Sequence, residues 1–259
     1  MAANRRWAVV TGASSGIGAE IARVLAGRGY ALVLVARREE RLAALASELA
    51  GPEPVEVLAL DLAEPGAPAR LFAALDGRGI APHTLVNNAG FGLRGAFADL
   101  PLDRQEAMVD VNVRALTSLS RLALPGLIAR RAGGILNLAS LAAFQAGPHL
   151  AVYYATKAYV LSLSEALHEE AKPHGVVVTA LCPGPVRTEF IDKAGMGDLK
   201  LFRSAAMDAA TVARAGVDGY EAGRAIVIPG ARNRLGALGA KLLPRAVSRR
   251  VAGRIQRSR

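Results

Sequence analysis

The sequence predicts a single α/β domain, a doubly wound parallel sheet of seven strands with helices on both faces. Apolar runs bounded by turn residues alternate with helix-spaced apolar segments along most of the chain. At 259 residues, with 52% hydrophobic residues, 27 glycines and 21% charged residues, the chain can build one large core. The same composition excludes disorder, collagen and coiled coil as descriptions of the whole. Neither an internal repeat nor a linker interrupts the alternation.

Strands are expected at 7–10, 31–35, 55–60, 84–86, 135–138, 176–181 and 225–228, each a short apolar run. Between the first two, 19–25 has helical apolar spacing and ends at Gly27 and Gly29. Further helices are expected at 68–75, 103–128 (one long helix), 153–172 and 208–220. Strands joined by helical crossovers pair in parallel and need cover on both faces. Residues 1–231 form the predicted domain, and 232–259 a basic amphipathic extension that is no independent domain.

A single cysteine, Cys182, makes no internal disulfide, and the four histidines show no zinc-type spacing. A reducing compartment and no metal are expected, with Cys182 a small buried apolar residue and His83, His149, His168 and His174 left as surface or loop residues. The apolar stretch near the N-terminus is too short for a signal sequence or a membrane span. Ten of the 32 Lys and Arg lie after Glu221, the last acidic residue, so the net charge of +10 belongs to the final 38 residues. The body is formally neutral, and any polyanion partner must concern the tail.

Directly after the first strand stands Thr11-Gly12-Ala13-Ser14-Ser15-Gly16-Ile17-Gly18, which opens a helix. Glycines there let backbone N–H groups and a helix N-terminus approach a pyrophosphate, where the helix dipole favours negative charge. The spacing is G-x-x-x-G-x-G rather than G-x-G-x-x-G, and alone it is as readily a plain turn.

Residues further along decide between the two. With Asp61 after the third strand, Asn87-Asn88-Ala89-Gly90 after the fourth, Asn112, Ser140, Tyr153 with Lys157, and Pro183-Gly184 after the sixth, the chain resembles the short-chain dehydrogenase/reductase family over roughly 6–190. The resemblance implies a Rossmann fold, oxidoreductase activity on a small molecule, a homodimer or homotetramer, and a cytoplasmic location. It implies that Gly12, Ser14, Ser15, Gly16, Ile17 and Gly18 hold a dinucleotide, with Asp61 near the adenine and Asn88, Ala89 and Gly90 beside the adenosine ribose. Pro183, Gly184, Val186 and Thr188 would pass the nicotinamide, and Val186 and Thr188 would bind its carboxamide.

Cofactor choice is read at the end of the second strand, about 20 residues beyond the turn, where a carboxylate would bind the ribose 2′-hydroxyl of NAD. Ala36-Arg37-Arg38 stands there instead, and guanidinium groups offer forked, charge-assisted bonds to a 2′-phosphate. The expectation is NADP(H), with Arg37 the main contact and Arg38 second; a solvated basic helix start before Glu39, Glu40 and Arg41 is the bland alternative.

Tyr153 and Lys157 are four apart and share a helix face. A phenol with its usual pKa of about 10 is a poor acid or base at neutrality, but an ammonium and an oxidised nicotinamide would pull that value down. Tyr153 is therefore the expected general acid for carbonyl reduction and the base in reverse. By the resemblance Lys157 also holds the nicotinamide ribose and relays protons, and Asn112 holds a water that links Lys157 to solvent. Ser140, at the carboxyl end of the fifth strand, would orient the substrate carbonyl. A low-turnover nucleotide-sensing or membrane-tethered binding protein on the same fold is the alternative of a different class, and the intact Ser140, Tyr153 and Lys157 argue against it.

Phe91, Leu93, Phe97, Leu141, Ala143, Phe144, Phe190, Met196, Leu201 and Phe202 are expected to wall the substrate cleft. That lining favours a lipophilic carbonyl, ketosteroid-like, fatty-acyl or aromatic, or its alcohol. In the tail, Leu235, Leu238 and Leu242 make one helical stripe, Pro244 breaks it, and Val247, Val251 and Ile255 make a second opposite Arg249, Arg250, Arg254 and Arg257. Either the stripes pack against the body or a second subunit, or they lie on an anionic membrane surface; with no aromatic residue in the tail, nucleic acid is not expected.

Overall fold

The structure, a computed structural model, describes residues 5–195 and 206–257. Seven strands form one sheet: β1 (Trp7–Thr11), β2 (Ala31–Ala36), β3 (Val55–Ala59), β4 (Pro82–Asn87), β5 (Gly134–Leu138), β6 (Val177–Leu181) and β7 (Ile226–Val227). Their order is β3-β2-β1-β4-β5-β6-β7, and every neighbouring pair is parallel. The helices are α1 (Gly16–Gly27), α2 (Glu39–Glu48), α3 (Ala67–Asp76), α4 (Leu102–Val109), α5 (Leu116–Arg130), α6 (Ala151–Ala171), α7 (Glu189–Lys193), α8 (Ala209–Glu221), α9 (Ala231–Leu242) and α10 (Arg245–Arg257).

The strand side chains divide by alternation. Val9, Val33, Val35, Leu85, Ile135 and Val178 face Leu71 and Leu75 of α3 and Leu119 and Leu127 of α5. Ala8, Val10, Leu32, Leu34, Val86, Leu136 and Leu181 face Ile21 and Leu25 of α1 and Val212 and Val217 of α8. Both faces are thus buried, which is why the central strands read as continuous apolar runs. The chain winds outward in one direction from β1 to β3 and then restarts at β4 on the other side of β1. At that reversal the crossovers leave in opposite senses and open a crevice at the carboxyl ends of β1 and β4.

Two expectations need correction, and one helix is additional to those expected. The long helix at 103–128 is α4 and α5 joined by a π-helical segment, Asp110–Ala115, whose wider turn re-aims Asn112 inward. The residues after Arg38 form a full helix, α2, which buries only Leu42 and Leu45 and so has a weak apolar signature. His168 is buried in α6 with Nδ1 2.8 Å from the Val178 carbonyl oxygen, and His83 lies half-buried in β4, edge-on to Tyr30. Helix and strand placement, not polarity, decided where these two rings lie.

Two helices flank Pro244 in the tail, as expected, but their orientation is the reverse of a core-facing stripe. Ala237, Ser248, Ala252 and Gln256 are buried, whereas Leu235, Leu238, Leu242, Leu243, Val247 and Val251 are exposed.

A polar seam crosses the sheet beneath the crevice. The Asn87 amide donates to Asn137 Oδ1 at 2.9 Å and Ser120 Oγ at 3.0 Å, and the Asn137 amide donates to Ser164 Oγ at 2.9 Å, all buried. Asn137→Ala strips a partner from both Asn87 and Ser164. Since an unsatisfied buried polar group costs about 1–3 kcal/mol, a loss of about 2–4 kcal/mol is expected, read as a lower urea midpoint at unchanged slope.

Candidate active site

Thr11 ends β1, and its hydroxyl donates to the Val86 carbonyl oxygen at 3.0 Å while accepting the N–H groups of Asn88 and Ala89 at 3.0 and 3.1 Å. The Asn88 amide nitrogen in turn donates to the carbonyls of Thr11 and Gly12, at 2.9 and 3.1 Å. This places the Gly-rich turn against the Asn-Asn-Ala-Gly turn. A Cβ on Gly12, whose φ is +66°, would lie 2.7 Å from Asn88 Nδ2, and one on Gly18 would collide with the same atom. Gly16 lies under the Thr188 methyl. Ser15 caps α1 in extended conformation, and no acidic side chain stands in the first turn, so the N-terminus keeps its attraction for an anion.

Arg38 is fixed to this turn: Nη2 donates to Ser14 Oγ at 3.0 Å and Ser15 Oγ at 2.9 Å. Its Nη1 meets Glu189 Oε2 at 3.0 Å, and Arg41 pairs with the other oxygen of the same carboxylate. Glu189 opens α7, so this bridge spans from the β2–α2 corner to the segment after β6. Beside it lies a cavity of about 360 Å³ lined by Ser14, Ser15, Arg23, Arg41 and Glu189 among others. Arg37 points outward, 73% exposed, with Nη1 3.6 Å from Asp61 Oδ2.

At the carboxyl end of β5, Ser140 caps a 3-10 turn (Leu141–Phe144), its hydroxyl accepting from Ala142 N at 3.1 Å. Tyr153 projects from the first turns of α6, and its ring lies 5.6 Å from that of Phe190. Burial pushes its phenol up to about 12, against the opposing influence of Ser140. The lowering expected of Lys157 is not found: desolvation outweighs the Ser140 hydrogen bond, and the neighbouring Tyr154 adds to the rise. Lys157 is buried, its Nζ 5.9 Å from the Tyr153 ring centroid and donating to the Leu138 carbonyl oxygen at 2.7 Å. Desolvation lowers its ammonium to about 8. Cys182 is fully buried and its thiol is pushed up to about 12, an inert core residue.

Asn112 is a clasp. Its Oδ1 accepts Phe91 N at 3.1 Å, and Nδ2 donates to the Phe91 carbonyl at 3.0 Å and to Thr156 Oγ1 at 3.1 Å. Thr156 donates on to the Tyr153 carbonyl at 2.8 Å. Gly90 gives these groups room, since a Cβ there would lie 2.9 Å from Asn112 Oδ1 and 3.7 Å from Lys157 Nζ.

After β6, the Pro183 carbonyl accepts from Leu141 N at 2.9 Å, tying this segment to the Ser140 turn. Gly184 sits against Asn233 of α9, and Val186 forms an isolated bridge with Met207. Among the expected wall residues, Phe190 lies on Tyr153, Phe144 turns toward Lys241, and Phe97 is 65% exposed, outside the packing of the cleft. Met196, Leu201 and Phe202 lie outside the described residues. Thr156, Glu189 and Asn233 are not among the residues that the sequence singles out, and Thr11 stands there only as the start of the Gly-rich turn. Thr156, one turn after Tyr153, was within reach of helical spacing; the others depend on contacts between distant segments.

A sequence profile described as short chain dehydrogenase matches residues 6–197. The chain is 38% identical over 189 residues to a bovine (Bos taurus) very-long-chain 3-oxoacyl-CoA reductase, a match covering 71% of this chain and 60% of that protein. It is 36% identical over 194 residues to an uncharacterized oxidoreductase of Staphylococcus epidermidis, covering 74% and 83% of the two. Among solved structures, a short-chain dehydrogenase from Sphingobium yanoikuyae in complex with NADPH superposes with a TM-score of 0.82 at 35% identity, covering 90% of this chain and 91% of that one. A bulky-bulky ketone specific alcohol dehydrogenase from Comamonas testosteroni gives 0.77 at 32% identity, covering 91% of each. With the profile matching well over half its length onto this sheet and this crevice, the chain belongs to the short-chain dehydrogenase family of oxidoreductases.

Proposed function

We propose that the protein is an NADP(H)-dependent oxidoreductase that moves a hydride between nicotinamide C4 and the carbonyl or secondary-alcohol carbon of a lipophilic substrate. The observation that carries this reading is the gathering of Ser140, Tyr153 and Lys157 at one sheet edge beside a glycine cradle. The cradle fits a dinucleotide: Gly12 and Gly18 leave no room for a side chain, and α1 starts without a carboxylate. Gly12, Ser14, Ser15, Gly16, Ile17 and Gly18 would hold the pyrophosphate, and Asp61, Asn88, Ala89 and Gly90 the adenosine side. Pro183, Gly184, Val186 and Thr188 would face the nicotinamide. Bound there, the nicotinamide supplies the hydride.

Arg38, anchored on Ser14 and Ser15, is the better-placed contact for a 2′-phosphate, with Arg37 second, the reverse of the order read from sequence. Glu189 competes for the same guanidinium. In catalysis the Ser140 hydroxyl donates to the substrate carbonyl oxygen, and Tyr153 delivers the proton to it as the hydride arrives. A phenol held near 12 stays protonated at neutral pH, as an acid for reduction must. The Lys157 ammonium then stabilises the phenolate left behind. Asn112 and Thr156 hold the Phe91 backbone and the start of α6 in register for this transfer.

The apolar contact of Tyr153 with Phe190 supports a lipophilic ketone. Relatives named for 3-oxoacyl-CoA and bulky ketone substrates favour fatty-acyl or bulky ketones over sugars. A homodimer or homotetramer would use the face where Val109, Leu122 and Tyr159 are exposed, and the single buried cysteine suits a reducing cytoplasm.

The test is a titration with NADPH and NADH followed by nicotinamide fluorescence, then NADPH oxidation with lipophilic ketones. NADPH should bind tighter and be consumed; tighter NADH binding overturns the cofactor assignment. Tyr153→Phe should cut kcat by about 10²–10⁴ while NADPH affinity stays within about twofold, the signature of a lost proton donor. Arg38→Ala should weaken NADPH about 10–100-fold and leave NADH unchanged, as expected for charge-assisted bonds of about 1.5–3 kcal/mol. Glu189→Gln should do the opposite, tightening NADPH alone. Because the lowered Lys157 ammonium is cationic below about 8 and neutral above it, ketone reduction in pre-steady-state mixing should be flat at neutral pH and fall as pH rises past that value.

A further inference from the structure

We propose that the outward face of α9 and α10 is a docking surface for an anionic lipid bilayer. Their inward face is already committed. Ser248 Oγ donates to Gln145 Oε1 at 3.1 Å, Gln256 Nε2 donates to the Tyr154 hydroxyl at 2.9 Å, and Arg94 Nη2 donates to the Gln256 carbonyl at 2.7 Å. Gly253 lies on Pro148, and Ala237 and Ala252 are buried. Small and polar side chains seat the two helices, so the large apolar ones are left outside.

Leu235, Leu238, Leu242, Leu243, Val247 and Val251 make up six of the eleven large apolar side chains exposed among the described residues, and Leu235 and Leu242 are 69% and 75% exposed. Exposure of this kind on one short segment marks an interaction surface. Its rim is basic: Arg250 and Arg254 stand beside the valines at helical spacing, and the leucines are flanked by Arg234, which also donates to the Ile228 carbonyl, and by Lys241, which lies over the Phe144 ring. No carboxylate follows Glu221 in the chain. A second copy docked by symmetry would set this basic rim against itself, so the charge asks for an anionic partner. The leucines ask for an apolar one, and with no aromatic residue after Tyr220 to stack on bases, nucleic acid fits poorly. A bilayer with anionic headgroups meets both demands, taking the leucines between its headgroups while the arginines reach phosphate. No helix among the described residues is long and apolar enough to cross it, so α9 and α10 would lie on its surface.

The seat of these helices is the segment after Ser140 and the residue next to Tyr153. Bilayer contact therefore turns the substrate side of the cleft toward the lipid; this consequence alone rests on the lipophilic-substrate reading. The experiment needs neither cofactor nor substrate. The full chain is floated with phosphatidylcholine vesicles and with phosphatidylcholine–phosphatidylglycerol vesicles, at low and high salt. Partition into the anionic vesicles only, weakened by salt, is expected. A triple variant, Leu235→Ser, Leu238→Ser, Leu242→Ser, should lose about tenfold of that partition at unchanged Tm, since these side chains are exposed. Wild type left unbound by anionic vesicles, or a triple variant that floats like wild type, overturns the proposal. So does sedimentation showing that the triple variant splits a dimer of the wild type, which would make a second copy the occupant.

Discussion

The site hangs on a clasp between two strands whose chain connections run in opposite directions. Thr11 at the end of β1 and Asn88 just past β4 exchange four hydrogen bonds with each other's backbone or that of the adjoining residues. A parallel sheet has no tight hairpins to fix the mutual position of its loops, so this joint depends on side chains. The amide of Asn88 fills the volume that a Cβ on Gly12 or Gly18 would need. The glycine turn and the Asn-Asn-Ala-Gly turn, nearly eighty residues apart in the chain, are therefore one structural object. Neither has its shape without the other, and the approach of backbone N–H groups to an anion follows from both.

The second constraint is a charge taken out of water. Burial drives Tyr153 and Lys157 toward their neutral forms, the phenol upward and the ammonium downward. The Leu138 carbonyl compensates Lys157 with one short bond, and Gly90 keeps Asn112 and Lys157 from being crowded apart. The pair is thus held with the proton on the phenol and an amine that readily changes charge. On the proposed reading, a new positive charge in the cleft would reverse the balance for the phenol, so that one residue could serve as acid and base in the two directions.

What was readable in the sequence was whatever is encoded locally. Strands announced themselves as apolar runs, and Tyr153 and Lys157 by a spacing that any α-helix enforces. The π segment around Asn112 was not readable, because a turn of i→i+5 bonding inside a long helix changes the phase of side chains without a composition of its own. Which of Arg37 and Arg38 meets Ser14 depends on how the start of α2 turns, a matter of one residue in a corner. Periodicity in the tail revealed two stripes but carried no sign for inward and outward; the small residues opposite the stripes hold that information, since close seating of a helix selects Ala, Ser and Gly.

The two halves of the cleft differ in how they are held. Its floor belongs to the sheet, where each residue is fixed by ladder bonds and by cores on both faces. Its rim consists of the segment after β4, the segment after Ser140, α7 and the tail, joined by polar links such as Arg94 to Gln256, Ser248 to Gln145 and Arg38 to Glu189. Each such link is worth about 1 kcal/mol net, and less for an exposed ion pair, so the rim opens at a small fraction of the cost of disturbing the floor. Rearrangement therefore falls first on the rim, while the glycine cradle stays where β1 and β4 put it. That separation lets the rim differ, in length and in chemistry, without altering the geometry of the cradle beneath it.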